Sequence, residues 1–164
     1  MNPSIISDCF TIQNNQKIYD FNNCLLFINH QGKIRYGQSF KICKEDIPII
    51  YKLIIYMIKD QKIADKLQIN LDKGILLSGP IGCGKTSIMQ LLKPFSNHYT
   101  DYKIKTCREI SFEFAKQGYE ALNPYTQKSN NQIRLSGFCF DDLGAEQQIK
   151  HFGNDCNVMV EILI

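Results

Sequence analysis

Apolar residues in this chain recur with helical spacing in some stretches and as short continuous runs in others. Ile47, Ile50, Tyr51, Ile54, Ile55 and Ile58 stand three and four residues apart, the period of an amphipathic helix. Lys44, Glu45, Asp46 and Pro48 place acids and a proline near its first turn, so a helix is predicted from about residue 44 to about Lys59. Its apolar face either docks on the rest of the fold or receives a partner. Upstream, residues 24–28 form an apolar run. Asn29, His30, Gln31 and Gly32 then supply turn chemistry before residues 33–36, which together predict a hairpin. Residues 59–72 are polar, with a short helical piece around Ala64, and mark a boundary.

From Lys73 the pattern changes. Residues 74–78 are a short apolar run of the kind found in a strand buried on both faces. Residues 86–93 predict a helix stopped by Pro94. Residues 102–106 predict a second strand. Thr106 and Glu109 have capping-box spacing, so a helix is expected from there to about Ala121. Residues 123–136 are polar and loop-like. Residues 137–140 are a third apolar run, ending in Asp141 and Asp142. A last helix is expected with Ile149, Phe152, Cys156, Met159 and Leu163 on one face. Strands alternating with helices predict an α/β fold with a parallel sheet. The chain thus divides into a hairpin-plus-helix region, 1–70, and an α/β region, 71–164.

Composition narrows the class. The 164 residues are 44% hydrophobic and 21% charged, which excludes a wholly disordered chain. A net charge of +3 is too small to argue a nucleic-acid surface. The most apolar run, 47–58, is broken by Lys52 and is shorter than the ~20 residues of a spanning helix. Residues 1–10 lack the features of a signal peptide. The seven cysteines are scattered without a Cys-x-x-Cys pair, a pattern that fits free thiols in a reducing cytoplasm. His30, His98 and His151 are isolated and lack metal-ligand spacing.

The chemistry lies in Gly79-Pro80-Ile81-Gly82-Cys83-Gly84-Lys85-Thr86, a full match to G-x-x-x-x-G-K-[ST]. It follows an apolar run and opens a helix, the context in which this pattern binds phosphates. Glycine permits unusual backbone angles and leaves no side chain between backbone and ligand. Backbone amides from Gly82 onward, through Ser87 in the helix, can then face phosphate oxygens. Lys85 supplies a point charge for the β- and γ-phosphates, and Thr86 a hydroxyl for Mg²⁺, a hard cation that prefers oxygen.

Phe138-Cys139-Phe140-Asp141-Asp142 has the form of a Walker B motif, an apolar strand ending in carboxylates. Asp141 would hold Mg²⁺ and Asp142 would deprotonate the attacking water. Asp141-Asp142-Leu143-Gly144 also satisfies the D-x-x-G of GTPases. The second acid favours ATPases that carry their own base, and no Asn-Lys-x-Asp guanine motif is present.

On the approach 73–78, the loop 79–86 and the Asp141-Asp142-Leu143-Gly144 site, residues 73–164 resemble the AAA+ ATPases, specifically the DnaC/IstB group of helicase loaders and transposase helpers. The resemblance implies a three-layer P-loop NTPase domain; residues 1–70 lie outside it and, from their predicted hairpin and helix, read as a small α+β cap. It also implies ATP and Mg²⁺ as cofactors, Lys85 and Asp142 in catalysis, and homo-oligomeric assembly. DNA, a replicative helicase or a transposase would be the working partner. In that group a polar sensor, a further strand and an arginine finger follow Walker B. This chain ends at Ile164, before all of them, and its three arginines lie upstream. The expectation is therefore an incomplete ATPase, marginally stable alone, that binds ATP with little or no hydrolysis. Two alternatives stand beside it. A nucleotide or small-molecule kinase shares the loop but needs an arginine-rich lid. A non-catalytic adaptor would dock through the 47–58 helix and use ATP as a folding ligand.

Overall fold

Two consecutive asparagines shape the first element. Asn14 and Asn15 hold φ of 49° and 63°, the positive pair that a tight two-residue hairpin turn requires. They join β1 (Phe10–Gln13) to β2 (Gln16–Tyr19) in antiparallel register. The hairpin expected over 24–36 is instead α1 (Phe21–Tyr36). Asp20 caps α1 by accepting the Asn23 amide at 2.9 Å, and Gly37 ends it. Cys24, Phe27 and Ile28 are buried on one face. A short apolar run satisfies strand and helix alike, and here the cap and the three- and four-residue spacing win.

The computed structural model describes residues 3–98, 100–126, 137–145, 149–151 and 154–163. They belong to two compact units, Met1–Asn97 and His98–Ile164. In the first, α2 (Ile47–Ile58) carries Pro48 in its first turn and buries Ile50, Leu53, Ile54, Ile55 and Met57. Its apolar face is therefore covered within the unit, and the alternative of a free docking helix loses its surface. Lys59, left-handed at φ 58°, ends α2. Asp60 then caps α3 (Gln61–Lys66), whose Ala64 packs with Ile55 and Leu71. Helix α4 (Lys85–Leu92) buries Leu91 and Leu92, and α1 and α2 both pack on it. The Phe27 and Phe95 rings meet edge to face at 5.8 Å. The first compact unit reaches residue 97, and within it the apolar side of α4 is buried by helices from the first part of the chain.

Residues 74–78 do not form the expected strand. Leu76 is 79% exposed and Ile75 43%. An apolar run becomes a strand only where a neighbour pairs its amides and carbonyls, and no strand among the described residues pairs with this one.

In the second unit β3 (Tyr102–Thr106) leads directly into α5 (Cys107–Gln117). The capping box is present: Thr106 accepts the Glu109 amide, and the Glu109 carboxylate accepts the Thr106 amide. After the short α6 (Asn123–Thr126) comes β4 (Gly137–Asp141), parallel to β3 and in register from Tyr102–Gly137 to Thr106–Asp141. The core gathers Cys107, Ile110, Phe114, Leu122, Cys156, Val158 and Met159. The final helix is shorter than expected. An antiparallel pair, β5 (Ile149–His151) and β6 (Asn154–Cys156), comes first, and α7 (Val158–Leu163) begins only afterwards. The Asn157 side chain accepts the Val160 amide at 3.3 Å and so starts α7 locally. Phe152, and residues 127–136 of the expected loop, lie outside the described residues. Among the described residues there are three separate two-stranded sheets, one of them parallel. No helix among them is long and apolar enough to cross a membrane.

Lys105 and Glu113 join β3 to α5 at 2.6 Å, and the Tyr125 hydroxyl donates to the other Glu113 oxygen at 2.8 Å. The Lys105 hydrogen bond, with smaller help from Tyr125, holds the Glu113 carboxyl below the usual glutamate range against the opposing effect of burial. A depressed carboxyl adds stability at pH values above its unfolded pKa, and the gain is lost as pH falls through the folded one. Glu113→Gln is expected to lower the urea midpoint at about pH 7, by an amount that shrinks as the pH is taken to about 3, through and below the ordinary glutamate range. An equal loss at both pH values contradicts this assignment.

Candidate phosphate-binding site

The loop between residue 79 and α4 is shaped by its own backbone. The Cys83 amide donates to the Pro80 carbonyl across a turn at 3.4 Å. Gly82 and Gly84 then take φ of 79° and 88°, a region glycine enters without the steric cost of a Cβ. Gly84 is the N-cap of α4: its carbonyl accepts the Ile88 amide at 2.9 Å. Lys85 is therefore the first helical residue, with Thr86 and Ser87 completing the first turn. A helix presents the amides of that turn beyond its end, together with the positive pole of its dipole.

The cradle has room. A Cβ at Gly82 or Gly84 would meet nothing within 4 Å, whereas one at Gly79 would lie 3.1 Å from Cys83 Sγ. Pro80, Ile81 and Cys83 are exposed. Lys85 folds back over the loop, and its Nζ donates to the carbonyls of Gly79 at 3.0 Å and Pro80 at 2.8 Å. Cys83 Sγ lies 3.7 Å from the same ammonium. The motif alone did not reveal this internal bonding, because carbonyls carry no residue-type signal.

The other predicted site residues belong to the second unit. Asp141 closes β4 beside Thr106, its register partner at the end of β3. Asp142 follows in a left-handed conformation, φ 56°, and its amide donates to Asp141 Oδ1 at 3.2 Å. The Ala145 amide returns to the Asp142 carbonyl at 3.0 Å, so residues 142–145 make a tight turn with Gly144 at φ 94°. Residues 79–87 are thus brought together in the first unit, and Asp141 and Asp142 in the second.

No protein-family model, curated protein or solved structure matches this chain. The chemistry is therefore judged on the residues. Open space over left-handed glycines, a helix N-terminus and a lysine bridging the loop fit a polyphosphate. Among the described residues no three His, Cys, Asp or Glu side chains cluster to hold a metal. Mg²⁺ needs no such cluster, since it is usually held by one or two protein oxygens, substrate phosphates and water. Within the first unit, Thr86 carries a side-chain oxygen of that kind in the first turn of α4.

The cysteines make the loop measurable. Cys43 and Cys83 are exposed, while Cys9, Cys24, Cys107 and Cys156 are buried. Burial pushes the Cys9 thiol up to about 11 and the Cys24 thiol up to about 12. Iodoacetamide is expected to label Cys43 and Cys83 in the folded chain, with Cys9 and Cys24 labelled only after unfolding. Peptide mapping showing Cys9 or Cys24 modified as fast as Cys43 contradicts the burial pattern.

Proposed function

We propose that the first unit binds the triphosphate of ATP together with Mg²⁺, in the manner of the AAA+-type P-loop ATPases that the sequence resembles. The observation that carries this reading is the pair of left-handed glycines, Gly82 and Gly84, followed at once by Lys85 at the head of α4. Residues 1–97 also hold twelve Lys and Arg against seven Asp and Glu, a balance that favours an anionic ligand. Bound Mg²⁺ neutralises phosphate charge. Lys85 would exchange the Gly79 and Pro80 carbonyls for phosphate oxygens, the first-turn amides of α4 would orient the phosphates, and the Thr86 hydroxyl would face the metal. The resemblance gives Asp141 a metal-binding role and Asp142 a water-activating one, both at the carboxyl end of a parallel strand, where α/β folds place their ligands. It extends the reading to DNA replication or transposition.

Calorimetric titration of the full chain with Mg-ATP tests the proposal. Saturable heat, with slowed alkylation of Cys83 and unchanged alkylation of Cys43, supports it. A flat titration with Cys83 reacting at its ligand-free rate overturns it.

A further inference from the structure

The phosphate loop needs a fixed point on each side. On its far side α4 is held by packing against α1 and α2. On its near side residues 74–78 belong to no strand, so no ladder anchors the chain as it enters the loop. What anchors it is the last turn of α2. The Tyr56 hydroxyl donates to the Lys73 carbonyl at 2.9 Å. The Lys59 ammonium donates to the Leu71 carbonyl and lies over the Tyr56 ring, 4.8 Å from its centroid. Leu71 itself is buried against Ile55 and Ala64. Lys59 can make this reach because its left-handed backbone ends α2 there. Burial, with the nearby Asp72 charge, raises the Tyr56 phenol above its ordinary value, which already lies well above neutral pH. The helix α2 thus grips both flanks of the loop, one by packing and one by two side-chain hydrogen bonds.

We propose that Tyr56 and Lys59 are positioning residues for the phosphate-binding loop, holding its root at the carbonyls of Leu71 and Lys73. The proposal rests on the ATP reading for its ligand. Its physical content is preorganisation: a loop whose root is already placed loses less conformational freedom when phosphates order it. Neither residue belongs to the loop itself.

Two substitutions separate positioning from mere structure. Tyr56→Phe removes one oxygen and keeps the ring. Lys59→Gly removes the ammonium and keeps the left-handed turn at no steric cost. Each is expected to weaken Mg-ATP binding by ~3- to 10-fold, the worth of one hydrogen bond. The ligand-free melting temperature should move by only a few degrees. A second readout needs no nucleotide: the ratio of Cys83 to Cys43 alkylation in the ligand-free chain should change by about twofold or more as the root is released. If wild type binds no Mg-ATP, the ATP reading fails and the alkylation ratio alone decides this one. An unchanged ratio in both variants, or wild-type affinity in both, overturns the proposal.

Discussion

Lys85→Ala is expected to abolish measurable Mg-ATP binding, with a loss of at least ~100-fold in affinity. The ammonium is the one side-chain charge the loop points at its own mouth, bonded to Gly79 and Pro80 at 3.0 and 2.8 Å. Transferred to phosphate oxygens, each such bond is charge-assisted on both sides and worth ~1.5–3 kcal/mol, so losing two exceeds ~100-fold. The alanine keeps both glycines, whose left-handed backbone carries no Cβ penalty. Melting scans with and without ligand give an independent check. A ligand that binds the native state alone stabilises it by ~2.7 kcal/mol at a hundred times its dissociation constant. Wild type should therefore melt higher with Mg-ATP, and Lys85→Ala should not. Equal ligand-induced shifts in the two proteins would remove Lys85 from the site.

Phe114→Ala is expected to be the most damaging single truncation in the second unit. Phe114 is fully buried on α5, within the cluster of Cys107, Ile110, Leu122, Val158 and Met159, and meets the Tyr119 ring edge to face at 5.3 Å. Removing a buried phenyl ring costs ~3–5 kcal/mol through lost burial and the cavity left behind. That is a large part of the ~5–15 kcal/mol that holds a typical domain. The loss should appear as a lowered urea midpoint. A loss below about 1 kcal/mol would mean that the cavity collapses or that this cluster carries little of the stability.

The elements that were legible in the sequence are those built from neighbouring residues. The α2 pattern, the Thr106–Glu109 box and the stop at Pro94 each depend on contacts within one or two turns, and each is present in the structure. The site belongs to this class. Left-handed glycines, an N-cap and a lysine reaching back five or six residues are local events, so the G-x-x-x-x-G-K-[ST] pattern describes their geometry directly. The misread elements are those where local signals tie. Residues 24–28 suit strand or helix, and the Asp20 cap decided for helix. Ile149, Cys156 and Met159 share a helical spacing, yet an antiparallel pair and the Asn157 cap divide them.

The sequence alone determined the turn and helix start at residues 79–86, the order of most helices and the two apolar runs that become β3 and β4, the second ending in carboxylates. Tertiary structure alone decided the limits of the first unit, because burial of α4 is supplied by α1 and α2 from far earlier in the chain. It also decided the fate of residues 74–78, because a strand is a property of two segments and its partner is not written in its own residues. The grip of Tyr56 and Lys59 on carbonyls 17 and 12 residues away was hidden for the same reason. Hydrogen bonds to backbone oxygens are open to any residue that packing brings near, so only the folded chain reveals which ones are made.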